Sequence, residues 1–412
     1  MNDVVVVGAG AAGLATAIFA RRLNPRRPVT VLDGAAKPGA KILVSGGSRC
    51  NVTNTVVTER DYWGGKRTIV RRVLRALPVA ATVDFFRELG VPLKEEPNGK
   101  LFPTTDRSRD VLDALLRAAH ETGVVLASST RVHEITPVGA GFSIQTSRGP
   151  RTASQVVLAT GGLSLPKTGS DGGGLSMAQR LGHTLVPTTP ALAPLVVDGR
   201  WFHAGISGVA HDAELTAWVE GRAAERIRGA MLWTHFGISG PVALNVSRVL
   251  LRAQLEHRDV RITANLFPPA TFEAVDARWM AAAASRPRVT VLNALAEEVP
   301  ASLATALLAH AGIDPGTMLT ALSREARRQL SHVLTALPVP VTGSRGYNYA
   351  EATAGGVTLD EVDSGTMSSR KVPGLFLVGE MLDVDGRIGG FNFQWAWSSA
   401  RAAAEGLARS SS

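Results

Sequence analysis

Several chemistries are excluded by what this 412-residue chain lacks. Cys50 is its single cysteine, so an intrachain disulfide and a multi-cysteine metal site are both ruled out, and no metal centre is expected. No run of roughly eighteen apolar residues occurs, so no transmembrane helix is expected. The sequence opens on what reads as a core strand, which leaves no room for a signal peptide. With the lone cysteine, this points to a reducing cytoplasm. Basic tracts are also missing. The net charge is +9, but the arginines are scattered, with only short doublets such as Arg26-Arg27 and Arg71-Arg72. No nucleic-acid motif accompanies them, so the charge reads as ordinary surface plus attraction for phosphate. What remains, 45% hydrophobic and 19% charged, is the composition of a globular protein long enough for two or three domains.

The strongest signal lies in the first thirty-three residues. Asp3 to Val7 is a short β-branched run suited to a buried strand. It leads into Gly8-Ala-Gly10-Ala11-Ala12-Gly13, a G-x-G-x-x-G turn, then an Ala-rich helix from Leu14 to Leu23 and a second strand from Pro28 to Asp33. The first glycine permits the tight turn, the second admits a pyrophosphate and the third lets helix and strand pack closely. The helix N-terminus offers N–H groups to that anion. Asp33, about twenty residues past Gly13, is placed to accept from a ribose hydroxyl. The pattern predicts dinucleotide binding.

Lys37 to Asn54 follows as a glycine-rich polar loop carrying Lys41, Ser45, Gly46, Gly47, Arg49 and Asn51. Its backbone can form an anion nest, so it reads as a second arm around the cofactor. Cys50, with no partner thiol, reads as a small packed residue. Further on, the strand Gln155 to Ala159 ends in Thr160-Gly161-Gly162. Gly169 to Gly182 opens a helix with a polar glycine loop, equally consistent with anion capture or with a turn capped by Ser170 or Asp171. Residues 195–265 look strand-rich, and Thr234 to Pro241 starts a helix with Ser239 as N-cap. A helical section then runs to Leu337, with helices expected at 270–284, 293–312 and 317–336. Gly374 to Asp385 reads as a buried strand carrying Gly379, Glu380 and Asp383, and Gly389-Gly390-Phe391-Asn392-Phe393 opens the last helix.

Lys41 to Asn54 resembles the K-I-L-x-S-G-G-G-R-C-N-x-T-N segment of the BaiN/RdsA-type FAD-dependent oxidoreductases, the aminoacetone-oxidase-like flavoproteins, with Ser48 where a glycine is usual. The stretches Thr234 to Pro241 (T-H-F-G-x-S-G-P), Asn348 to Val357 (A-x-x-T-x-G-G-V), Thr366 to Ser369 and Gly389 to Ala396 resemble that family's other elements, in its order and over nearly the full length. The resemblance implies an α/β fold: a Rossmann-like FAD-binding domain of the glutathione-reductase type, discontinuous over 1–194 and 338–412. A β-rich insertion would occupy 195–267 and a helical cap 268–337. It also implies that Val132 contacts adenine through its backbone, that Glu380 and Asp383 lie beside the ribityl and pyrophosphate, and that the helix after Gly390 faces the flavin N1–C2=O edge.

Hydride would pass between flavin N5 and a small organic substrate, with NAD(P)H as donor, although no second G-x-G-x-x-G marks a nicotinamide domain. An oxygen-using amine oxidase of the aminoacetone type, an FAD-dependent RNA-modifying or RNA-binding protein, and a flavin-binding protein without turnover remain as alternatives. His235 and Arg49 are the catalytic candidates. His235 equally suits a structural place beside a glycine turn, and Arg49 can bind carboxylate or phosphate.

Overall fold

The computed structural model describes residues 3–409. The chain forms two compact units, one built from residues 1–188 and 351–412 and the other from Thr189–Ala350.

The first unit is built on a five-stranded parallel sheet in the order Leu375–Leu377, Gln155–Leu158, Val4–Val7, Val29–Leu32, Val125–Ala127. Val4, Val6, Val156, Val157 and Leu377 are buried, as expected for strands covered on both faces. Helix Ala11–Leu23 packs against the final helix Phe391–Arg409, so the two ends of the chain share one core. Trp395 and Trp397 are fully buried in it. Their indole N–H groups donate to Gly379 O and Val52 O, at 3.0 and 2.9 Å. An antiparallel meander of Val132–Val138, Gly141–Thr146 and Gly149–Ala153 adds to the Rossmann-like unit.

Residues 37–54 are not simply a loop. Gly39, left-handed, starts a helical segment Ala40–Ser48 that stays regular only as far as Ser45, where ψ reaches 148°. The apolar Ile42 side chain is buried beneath it.

The second unit holds a seven-stranded antiparallel sheet in the order Leu337–Val339, Val260–Asn265, Ala210–Val219, Arg222–Thr234, Gly237–Ser239, Leu195–Val197, Val341–Ser344. Helix Gly240–Leu255 packs on it, and helices Phe272–Ser285, Val291–Ala296, Ala301–His310 and Arg324–Ala336 share its core. Three sequence expectations shift here. The helix expected at 293–312 is two, Val291–Ala296 and Ala301–His310, separated at Pro300. Ser239 is the N-cap residue, but its side chain makes no cap bond, because residues 237–239 are themselves strand. The last helix of this group begins at Arg324, capped by Ser323, since Met318 instead bridges to Thr290.

Candidate functional site

In the first unit, glycine turns and charged side chains from both chain ends converge. The turn after strand Val4–Val7 is closed by Gly8 N, which donates to Leu32 O at 2.8 Å. A Cβ on Gly13 would lie 1.8 Å from Gly8 O, so only glycine allows the helix to approach its strand this closely. Gly10 differs: a Cβ there would meet nothing within 4 Å. Gly10 is the N-cap of helix Ala11–Leu23, with no side-chain cap and no acidic residue in the first turn. The N–H groups of Ala11, Ala12 and Gly13 therefore present the positive end of a helix to open space. Asp33 braces this turn. One carboxylate oxygen accepts from Ala9 N and the other from Ala35 N, both at 2.7 Å, and each oxygen keeps a lone pair for a hydroxyl.

The centre of the constellation is Lys41. Its Nζ lies 2.5 Å from Glu380 Oε2 and 2.6 Å from Ser164 Oγ, and Ser164 Oγ donates to Glu380 Oε1 at 2.6 Å. Thr353 Oγ1 accepts from Leu163 N and Ser164 N at 2.8 and 3.0 Å, which fixes the stretch after Gly161-Gly162. Four separate motifs thus meet at one charge-assisted knot. Ser164 and Thr353 carried no predicted role; the only sequence signal for either was the threonine of the A-x-x-T-x-G-G-V element.

Gly379 lies against the opening helix, where a Cβ on it would stand 2.8 Å from the Ala12 Cβ. Asp383 N donates to Val357 O, and Gly65 N donates to Asp383 O, each at 2.8 Å. Gly389 and Gly390 meet the end of the second loop: Asn54 Nδ2 donates to Gly389 O at 3.2 Å. With its amide turned so that the oxygen faces Gly390, Asn51 accepts from Gly390 N at 3.1 Å. Asn392 is spent on its own turn, accepting from Gly386 N and donating to Gly386 O at 2.8 and 2.9 Å. Phe393 stacks on Trp397. Thr160 abuts the start of helix Gly173–Arg180, and Val132 is buried at the head of its strand. That helix has Gly172, not Ser170 or Asp171, at its N-cap. Asp171 instead pairs with Arg131 at 2.5 Å and accepts from Gly173 N.

Within the second loop, Ser45 Oγ donates to Ile42 O at 2.7 Å, and Gly46, Gly47, Ser48 and Cys50 all have left-handed backbone. The backbone turns back on itself there, and the N–H groups of Arg49 and Cys50 both donate to Ser45 O. The Cys50 thiol is fully buried, and burial pushes its pKa up to about 12, so no reactive thiolate forms there. Arg49 is committed to protein partners. It pairs with Glu96 at 2.7 Å and Asp106 at 3.5 Å, with its guanidinium 4.1 Å from the Phe102 ring centre. His235 belongs to the second unit, is exposed, and packs edge-on against Phe236; no group among the described residues is hydrogen-bonded to its ring to orient it. Among the described residues no cluster of three or more metal-ligating side chains occurs. Among the described residues no helix is long and apolar enough to cross a membrane.

The family described as HI0933-like protein, Rossmann domain, matches residues 2–406. The chain is 31% identical over 409 residues to a 3-dehydro-bile acid delta(4,6)-reductase of Clostridium scindens, covering 98% of this chain and 100% of that one. It is 32% identical over 407 residues to a ribosomal RNA dihydrouridine synthase of Escherichia coli, covering 98% of each. Among solved structures, a 3-ketosteroid delta1-dehydrogenase of Sterolibacterium denitrificans aligns over 100% of both chains with TM-score 0.52 at 13% identity, a likeness of fold alone.

Parallel sheet, open helix N-terminus and these relatives together define an FAD-dependent oxidoreductase. Within that class, the chain belongs to the HI0933-like family.

Proposed function

We propose that this protein uses FAD to deliver hydride to a carbon–carbon double bond conjugated with a carbonyl group, on a small organic substrate, with NAD(P)H as the electron donor. The observation that carries the reaction is shared by two relatives of nearly equal similarity. One is named for reducing the delta(4,6) bonds of a 3-dehydro-bile acid, the other for making dihydrouridine, which is uridine saturated in its ring. Both names describe saturation of an enone-like bond.

The residues present fit FAD. Space is left above Gly10 where a side chain would intrude, the helix behind it has no side-chain cap, and its first turn carries no acidic residue. The N–H groups of Ala11, Ala12 and Gly13 would hold the pyrophosphate and Asp33 the adenosine ribose, with Val132 beside the adenine. Ser45, Gly46, Gly47 and Asn51 would form the second arm. Thr160, Gly161, Gly162, Gly379, Glu380 and Asp383 would line the ribityl and pyrophosphate. Gly389, Gly390, Asn392 and Phe393 would present the backbone N–H groups of the last helix to the flavin. When bound, FAD supplies two-electron hydride exchange at N5.

The protein's own part is positioning and electrostatics. Lys41 is held by Glu380 and Ser164, so its charge stays fixed without a search through rotamers. The N-terminus of helix Phe391–Arg409 stabilises negative charge developing near it. Arg49, tied to Glu96, shapes the second arm and does not act as a free catalytic group. His235 has no orienting partner, which weighs against a general acid.

A second reading keeps the bond chemistry and changes the substrate to uracil in ribosomal RNA. It is favoured by the Escherichia coli relative and by the +9 charge. Anaerobic stopped-flow tests both. NADH or NADPH should bleach the flavin, and the reduced enzyme should be reoxidised by a 3-oxo-4-ene steroid acid or by an unmodified rRNA transcript. A flavin untouched by either nucleotide but bleached by aminoacetone would overturn the proposal in favour of an amine oxidase.

A further inference from the structure

The Thr234 to Gly237 stretch has no part in the cradle described above, yet within the second unit it forms one jaw of a clamp. Phe236 O accepts from Val197 N at 3.1 Å. Strand Leu195–Val197 pairs on one side with Gly237 and Ile238 and on the other with Gly343 and Ser344. Arg345 N donates to Pro194 O at 3.0 Å. The sheet register therefore fixes the backbones of Phe236 and Arg345 relative to one another.

Between them the side chains stack. The Arg345 guanidinium carbon lies 3.5 Å from the Tyr349 ring centre and 4.5 Å from that of Phe236. Rings this close to the guanidinium carbon cover the faces of the group when they stack on it, and its five N–H donors, which lie in its plane, are then left at the edge. No carboxylate among the described residues pairs with Arg345, and its side chain donates to no protein acceptor there. By contrast, Arg278, Arg286 and Arg327 of the same unit are ion-paired, to Glu298, Glu297 and Asp276, and Arg261 and Arg328 lie over one ring each, Trp218 and Phe272. Arg345 is half-buried, and Tyr349 is 49% exposed, so the edge is reachable from solvent.

We propose that Arg345, clamped by Phe236 and Tyr349, is a binding site for a single oxyanion group, a carboxylate or a phosphate. A planar fork held by its faces has already lost the rotamer freedom that binding would otherwise remove. It meets two oxygens of such a group in parallel. A lysine at this place could neither stack nor bind in two-point fashion.

The test uses the holoenzyme and needs no turnover. Phenylglyoxal labelling of arginines is mapped by mass spectrometry with and without inorganic phosphate in one arm and acetate in the other. Labelling at Arg345 should fall about tenfold when the anion is present at about ten times its dissociation constant, while exposed Arg222 is unaffected. Protection by phosphate alone assigns the site to phosphate esters, and protection by acetate alone to carboxylates. In parallel, phosphorus NMR line broadening of inorganic phosphate should be reduced in Arg345→Gln and weakened in Phe236→Leu, which keeps the charge but loosens the stack. Equal labelling of Arg345 with and without both anions overturns the proposal; where phosphate protects, so does unchanged broadening in a folded Arg345→Gln protein. Neither result depends on which substrate the flavin reduces, so failure here leaves the ene-reductase reading standing.

Discussion

Lys41 and Glu380, 339 positions apart in sequence, meet at 2.5 Å with side chains only 24% and 18% exposed. Removing one partner strands the other charge in a poorly solvated place. Lys41→Met should therefore destabilise the protein by about 1–3 kcal/mol, whereas Glu380→Gln, whose one amide oxygen can still accept from Lys41 while its NH2 donates to Ser164 Oγ, should cost less. Urea unfolding of the two single variants and the double variant gives the coupling. A coupling near zero would show the pair to be incidental.

Gly10 and Gly13 separate cofactor binding from folding. Gly10→Ala adds a Cβ that meets no protein atom, so apoprotein stability should change by less than about 0.5 kcal/mol. FAD affinity should nevertheless fall by about tenfold or more, because the added methyl occupies the pyrophosphate approach. Gly13→Ala, with its Cβ 1.8 Å from Gly8 O, should fail in both respects. Flavin titration against the two apoproteins, beside their melting curves, checks the contrast.

The acid limb of stability should carry the signature of His183 and Glu361. His183 Nδ1 lies 2.9 Å from Glu361 Oε2, and its Nε2 is 2.8 Å from Ser369 Oγ. Burial holds the His183 pKa below 6.5, only partly opposed by Glu361. For Glu361, burial acts to raise the pKa, but hydrogen bonds from Lys371, Thr184 and His183 outweigh it and bring the carboxyl down to about 2 from 4.5. In both cases the folded state binds fewer protons than the unfolded one, so stability is lost as pH falls. His183→Gln should flatten the decline that begins below pH 6.5, and Glu361→Gln the part between 4.5 and 2. Denaturant midpoints across pH would read both; an unchanged profile in either variant refutes its assignment.

Ser48 stands with φ at +66° in the second loop, where glycine would be at ease. A left-handed serine costs about 1 kcal/mol, partly offset by the greater freedom of glycine in the unfolded chain. Ser48→Gly should stabilise the protein by about 0.5 kcal/mol and Ser48→Val destabilise it by about 1 kcal/mol or more, measured by chemical denaturation.

The parallel sheet and the opening turn were legible because each depends on local residues: a β-branched strand, glycines at fixed offsets and an acid at the next strand end. The knot around Lys41 was legible only in pieces. Lys41 and Glu380 stand out in their own motifs, but Ser164 and Thr353 acquire a role only when tertiary contacts bring residues 163–164 and 353 together. The partners of Arg49 are hidden for a related reason. Its loop sequence suggested a free charge, and its partners Glu96 and Asp106 come from other segments. Likewise Asp171 could not be known to prefer Arg131 over capping the helix beside it.

The flavin unit is completed by residues made last. Strand Gln155–Leu158 gains its neighbour Leu375–Leu377 only after the whole of Thr189–Ala350 has been synthesised. On the ribosome, that strand must wait with a bare hydrogen-bonding edge while the contiguous second unit, with its own core, is free to fold. Nascent chains stalled before Leu375 should consequently protect the middle of the sequence from protease well before the ends.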